Sequence, residues 1–122
     1  LFTGKIDRVD DLENNQVEII DYKTGKPKDL KLSSDDKKQL LFYQIASEES
    51  LALEVGKLKY YYLFDEENPE REFVGKEKDK QKLKEDFIKN IENMKQQKFE
   101  PTPSKFVCDY CEYKDICEFR KI

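Results

Sequence analysis

Residues 4–25 read GKIDRVDDLENNQVEIIDYKTG: a charged lead-in, a polar turn, and an apolar run that ends in Asp21-Tyr22-Lys23. Strand side chains alternate between faces, so Asp21 and Lys23 share a face with Val17 and Ile19, and an apolar face runs out into a charged tip. Residues 2–10 and 16–24 are each expected as strands, with Asn14 and Asn15 as turn residues, hence a β-hairpin. Its register has a chemical consequence. Asp7 lies beside Asp21 only across a three-residue loop, Glu13 to Asn15, whereas a two-residue loop opposes Asp7 to Tyr22. Asn tolerates the left-handed backbone that three-residue loops need, which favours the first register; a bulge achieves the same end.

The rest of the chain supplies partners for this hairpin. Gly25 to Leu32 is a connecting loop, and Ser33 or Ser34 before Asp35-Asp36 reads as a helix cap with acids in the first turn. The helix is expected to run to about Ser50, with Gln39, Phe42, Tyr43 and Ala46 on one face and Leu41 and Ile45 on a neighbouring one. A third strand, Lys57 to Phe64, opens at Gly56; being apolar on both faces, it belongs in the middle of a sheet. After Asn68-Pro69, Arg71 to Val74 is a short edge strand. Residues 76–97 read as a Lys-rich helix with a narrow stripe of Leu83, Phe87, Ile91 and Met94. The fold class is therefore α/β, a small mixed β-sheet flanked by helices, with residues 1–98 as core and 99–122 as a Cys-rich tail packing on it.

At 122 residues, one domain with a modest core is expected. Charged residues make up 41%, but seven Tyr and eight Phe supply enough apolar body for a fold. A net charge of −4 gives no global attraction to nucleic acid, so such binding needs a local basic patch or metal-neutralised carboxylates. No run approaches a membrane span and no leader precedes the first strand, which suits a cytoplasmic protein. Because the chain opens inside that strand, it is expected to be a fragment that lacks an upstream part.

Two neighbouring carboxylates repel, so one protonates or both share a cation. Mg²⁺ or Mn²⁺ suits an all-oxygen site with open positions for phosphate, and a Lys two residues beyond the second Asp can meet an attacking water or a developing phosphorane charge. The plainer alternative is an exposed cross-strand salt-bridge cluster. For Gln39 and Tyr43 the plainer alternative is core packing. Lys26 and Lys28, just beyond the strand, are placed to touch phosphates, while the acids among the lysines of residues 76–97 suit a solvated face. Cys108, Cys111 and Cys117 suit Zn²⁺ or an iron–sulfur cluster, each normally needing four protein ligands, or free thiols packed among Phe106, Tyr110, Tyr113 and Phe119.

Four motifs in order resemble the RecB-like branch of the PD-(D/E)XK nuclease superfamily: Gly4 to Asp7, Asp21-Tyr22-Lys23-Thr24-Gly25, Gln39 to Tyr43, and Cys108-x₂-Cys111-x₅-Cys117. The Phe99, Pro101 and Pro103 approach to the cysteines extends the likeness over essentially the whole chain. The resemblance implies a restriction-endonuclease-like core. It makes Asp7 and Asp21 ligands of Mg²⁺ or Mn²⁺ with the backbone carbonyl of Tyr22, Lys23 the catalytic lysine, and Gln39 and Tyr43 residues acting from the helix. It also implies a [4Fe–4S] cluster on Cys108, Cys111 and Cys117 whose fourth ligand, like a Glu or His of the active site, lies upstream of this chain. The expected function is that of a RecB- or AddB-type DNA exonuclease in recombination and repair, with DNA and a helicase domain or subunit as partners. CRISPR-associated nucleases share these motifs, and a non-catalytic, metal-clipped binding module is the alternative.

Overall fold

The computed structural model describes residues 3–26 and 29–122, so Lys28 lies outside the described residues. The elements in chain order are β1 (Arg8–Asp11), β2 (Gln16–Lys23), α1 (Ser34–Ser50), β3 (Glu54–Tyr62), β4 (Glu70–Phe73), α2 (Glu77–Lys95) and α3 (Lys105–Asp109). The strands form one mixed sheet in the order β1-β2-β3-β4, antiparallel at both outer pairs and parallel between β2 and β3. A parallel neighbour cannot be reached by a tight turn, and α1 supplies the crossover. The expected small mixed sheet with helices is present. None of the helices among the described residues is long and apolar enough to cross a membrane.

The hairpin takes the three-residue register: Arg8 opposes Ile20, Asp11 opposes Val17, and the Leu12 amide donates to the Gln16 carbonyl at 2.7 Å. Asn14 and Asn15 carry the bend with φ of 62° and 59°, a region Asn enters at low cost. β1 is shorter than expected: residues 3–7 lie outside it, and Asp7 sits in a bend just ahead of the first pair. β3 begins at Glu54 rather than Lys57, because Gly56 is a bulge; Val55 opposes Val17 while Lys57 opposes Glu18. At its far end Leu63 and Phe64 leave the sheet and are exposed.

Val17, Ile19, Leu40, Val55, Leu58, Tyr60 and Tyr62 form the core, with α1 laid against β3 on the face that carries Asp21. Serine 33 caps α1 through a complete capping box with Asp36. The buried side of α1 is Leu40, Leu41, Gln44 and Ser47, not the Gln39–Tyr43 stripe; that stripe instead flanks the buried side and faces the charged tip of β2. Gln44 is tolerated in the interior because its amide pairs with a backbone peptide: Nε2 donates to the Gly75 carbonyl at 3.1 Å, and Oε1 accepts the Gly75 N–H at 3.0 Å.

The chain divides into two compact units, Leu1–Asp86 and Phe87–Ile122. In the first, Lys80 pairs with Glu48 at 2.7 Å and Lys84 with Glu49, so these lysines of α2 tie it to α1. In the second, Ser104 caps the short α3 and Cys108 is buried.

Candidate active site

Each residue of the site is delivered by an element whose local sequence explains its position. The hairpin register brings Asp7 to the end of β2, where its Oδ2 accepts the Tyr22 backbone N–H at 2.9 Å. Asp21 stays on the buried face of β2, 4% exposed, because the alternation that buries Val17 and Ile19 continues through it. Lys23 follows on the same face. Gln39 and Tyr43, one helical turn apart on α1, reach down to both.

The four side chains close a ring. Lys23 Nζ donates to Gln39 Oε1 at 3.0 Å, and Gln39 Nε2 donates to the Tyr43 hydroxyl at 2.9 Å. Tyr43 donates to Asp21 Oδ1 at 3.4 Å, and Asp21 Oδ2 returns to Lys23 Nζ as an ion pair at 2.9 Å. Every donor points the same way round, so the orientation of the Gln39 amide is fixed: turned over, it would set its NH₂ against an ammonium. Beneath the ring lies Tyr60, whose aromatic face is 4.9 Å from Lys23 Nζ. Its hydroxyl lies 3.1 Å from Gln39 Oε1 and 2.6 Å from the Asp36 carbonyl.

The electrostatics follow from this crowding. Burial pushes the Tyr43 phenol upward; the amide donated by Gln39 pulls it back, and the charges of Asp21 and Asp7 add to the rise. Burial also raises Tyr60, with the Asp21 charge next in importance. Tyr43 and Tyr60 are thus neutral donors at ordinary pH.

Asp21, Lys23, Gln39 and Tyr43 are joined in one ring and Asp7 is bonded to the Tyr22 N–H; the salt bridge of the plainer reading is present between Asp21 and Lys23 and forms one side of the ring. Lys26 is exposed and, with Lys23, Gly25, Asp35, Asp36, Gln39, Tyr60 and Tyr62, lines a cleft of about 270 Å³ beside it. Lys28 lies outside the described residues. Tyr60 falls within the third strand expected from sequence, which assigned it no role in the site. Its signal was the alternation that places Leu58, Tyr60 and Tyr62 on one face of the strand, but alternation does not reveal which α1 side chain a phenol meets.

Among the described residues no three His, Cys, Asp or Glu side chains are grouped to hold a metal ion, so the site is not an all-protein cage. It does fit a cation that keeps several waters and takes one or two carboxylates. Asp21 Oδ2 is buried with the Lys23 ammonium at 2.9 Å as its partner, and Asp7 supplies a second carboxylate next to the Tyr22 peptide. Among the described residues the cysteines are not gathered into a group that could hold a metal ion. Cys108 is buried with its Sγ accepting the Lys121 N–H at 3.4 Å, Cys111 is half-buried and Cys117 is exposed. Nor are they packed under aromatics: Phe106, Tyr110, Tyr113 and Phe119 are all exposed.

No curated protein matches the chain. The profile of the PD-(D/E)XK nuclease superfamily matches residues 1–118, which takes in the hairpin, α1, the rest of the sheet and the cysteines. Nucleases of this kind act on nucleic acid and typically use divalent metal ions, which suits the paired carboxylates and the lysine. With nearly the whole length matched and a mixed four-stranded sheet presenting the ring, the chain belongs to the PD-(D/E)XK nuclease superfamily.

Proposed function

We propose that the protein is a metal-dependent deoxyribonuclease of the RecB-like branch, an exonuclease hydrolysing DNA phosphodiesters in end processing, recombination and repair. The observation that carries this reading is the ring of Asp21, Lys23, Gln39 and Tyr43 with the Asp7 carboxylate against its edge. Asp7, Asp21 and the Tyr22 carbonyl would hold Mg²⁺ or Mn²⁺. When bound, such a cation polarises a phosphoryl oxygen and makes a water more acidic.

The chain's own residues do the rest. Lys23 has three N–H donors, of which Asp21 and Gln39 take two. The third is left for a non-bridging phosphate oxygen, where the ammonium meets the charge that builds as water attacks. Asp21 holds Lys23 in place, and Tyr43 holds the other Asp21 oxygen so that the carboxylate cannot turn away. In net terms a P–O bond to one sugar breaks and a P–O bond to water forms; hydroxyl ends on phosphorus and the proton on the leaving sugar oxygen. Lys26, exposed at the neighbouring cleft, is placed to meet an adjacent phosphate.

The finer proposals are separate. The RecB-like assignment rests on the resemblance of the motifs, as do a helicase partner and a [4Fe–4S] cluster on Cys108, Cys111 and Cys117, for which the thiols would have to be drawn together. Iron and acid-labile sulfide in anaerobically purified protein support the cluster; stoichiometric zinc without iron rejects it. For the activity, linear DNA is incubated with the full-length protein and Mg²⁺ or Mn²⁺. Cleavage that stops with chelator and falls at least about 100-fold in Asp21→Ala and Lys23→Ala is expected, in line with the loss of one charge-stabilising group. Activity surviving either substitution overturns the assignment.

A further inference from the structure

We propose that Tyr60 is a positioning residue for the Lys23 ammonium, acting through the Gln39 amide. It is 1% exposed on β3, a strand from which the sequence motifs draw no functional residue. A buried phenol costs more to desolvate than a phenyl ring, so the hydroxyl needs partners. Its one proton has two acceptors within reach and is shared between them: the Asp36 carbonyl at 2.6 Å and Gln39 Oε1 at 3.1 Å.

The second contact has a consequence for the site. Gln39 Oε1 also accepts from Lys23 Nζ, so the ammonium and the Tyr60 proton, shared with the Asp36 carbonyl, converge on one amide oxygen. Together they keep that oxygen facing Lys23 and send Nε2 to Tyr43, which sets the sense of the whole ring. The Tyr60 ring supplies a second restraint, an aromatic face 4.9 Å from Lys23 Nζ. Ring and hydroxyl thus hold the ammonium from below and through Gln39, and the hydroxyl touches neither metal ligand nor substrate. Tyr62, the next residue on that face, is buried as well; its ring lies against Arg71 and edge-on to Tyr60, with ring centroids 6.4 Å apart, and none of the ring's hydrogen bonds involves its hydroxyl.

The competing account is that Tyr60 only staples β3 to α1 through the Asp36 carbonyl. The test compares Tyr60→Phe with Tyr62→Phe in the full-length protein; each keeps its ring and loses one buried hydroxyl. The first readout is the side-chain amide of Gln39, observed by NMR in ¹⁵N-glutamine-labelled protein. Its two proton signals should shift in Tyr60→Phe and stay in place in Tyr62→Phe. The second is metal-dependent DNA cleavage, where Tyr60→Phe should lower kcat about tenfold with KM unchanged. Adding it to Gln39→Ala should cost nothing further. Unmoved Gln39 signals, equal losses in both Tyr variants, or an additive double variant would overturn the proposal. The kinetic arm rests on the nuclease reading and the NMR arm does not. A wild-type protein that cleaves no DNA therefore counts against that reading, while the Gln39 signals still decide the role of Tyr60.

Discussion

Gln39 is exposed, yet its two amide groups face opposite demands: an ammonium on the oxygen side and a phenol oxygen on the nitrogen side. An amide answers both at once, with an acceptor and a donor on one planar group, whereas a carboxylate lacks the donor. Tyr43 extends the chain to Asp21, so Tyr43→Phe removes the link that stops the carboxylate from rotating. We expect kcat for DNA cleavage to fall about tenfold, or about 1.4 kcal/mol in barrier, with little change in KM; an equal rise in KM would make Tyr43 a binding residue instead. The sequence put Asp21 with Lys23 by strand alternation and Gln39 with Tyr43 by helical spacing. Tyr60 was not legible in this way, because a tyrosine in the run of residues 60–62 carries no local mark that separates a positioning hydroxyl from a packed ring.

The elements fit together through a few close approaches. Gly75 joins β4 to α2 and lies under α1, where an added Cβ would sit 2.2 Å from Leu41 Cδ2 and 2.7 Å from Gln44 Oε1. Gly75→Ala should therefore strain the packing and disturb the paired peptide bonds with Gln44, costing about 1–3 kcal/mol. A urea midpoint unchanged from wild type would show that α1 can move aside freely. The hairpin register was legible in advance, since Asn tolerates the left-handed backbone that a three-residue loop needs. The buried face of α1 was not: Gln44 and Ser47 occupy core positions, and hydropathy cannot identify a polar residue satisfied by a partner 31 residues away. Gly56 misled in the opposite direction, reading as a strand opener where the sheet uses it as a bulge.

Across the molecule, ionisable groups set the pH range of stability. Burial opposes the Lys59 charge, but Glu18 and Glu70 outweigh it and raise its pKa; Glu48 and Glu77 raise that of Lys80. Burial does the same for Tyr43 and Tyr60. All four hold their protons more tightly folded than unfolded, so their contribution is complete below about pH 10 and is lost as pH climbs through the folded values. Asp65 runs the other way, lowered by the Asn68 N–H and by Arg71, and its contribution fades as pH falls below about 4. Melting temperature should hold to about pH 9.5 and then fall, less steeply in Tyr60→Phe; a flat profile to pH 12 would contradict these assignments.

The central claim, that the hairpin register makes Asp7 and Asp21 partners in holding one cation beside Lys23, can be read in a single map. Crystals soaked in Mn²⁺ should show an anomalous difference peak between the two carboxylates and next to the Tyr22 carbonyl, absent in Asp21→Ala. No peak there at saturating Mn²⁺, or one that persists in Asp21→Ala, would contradict it.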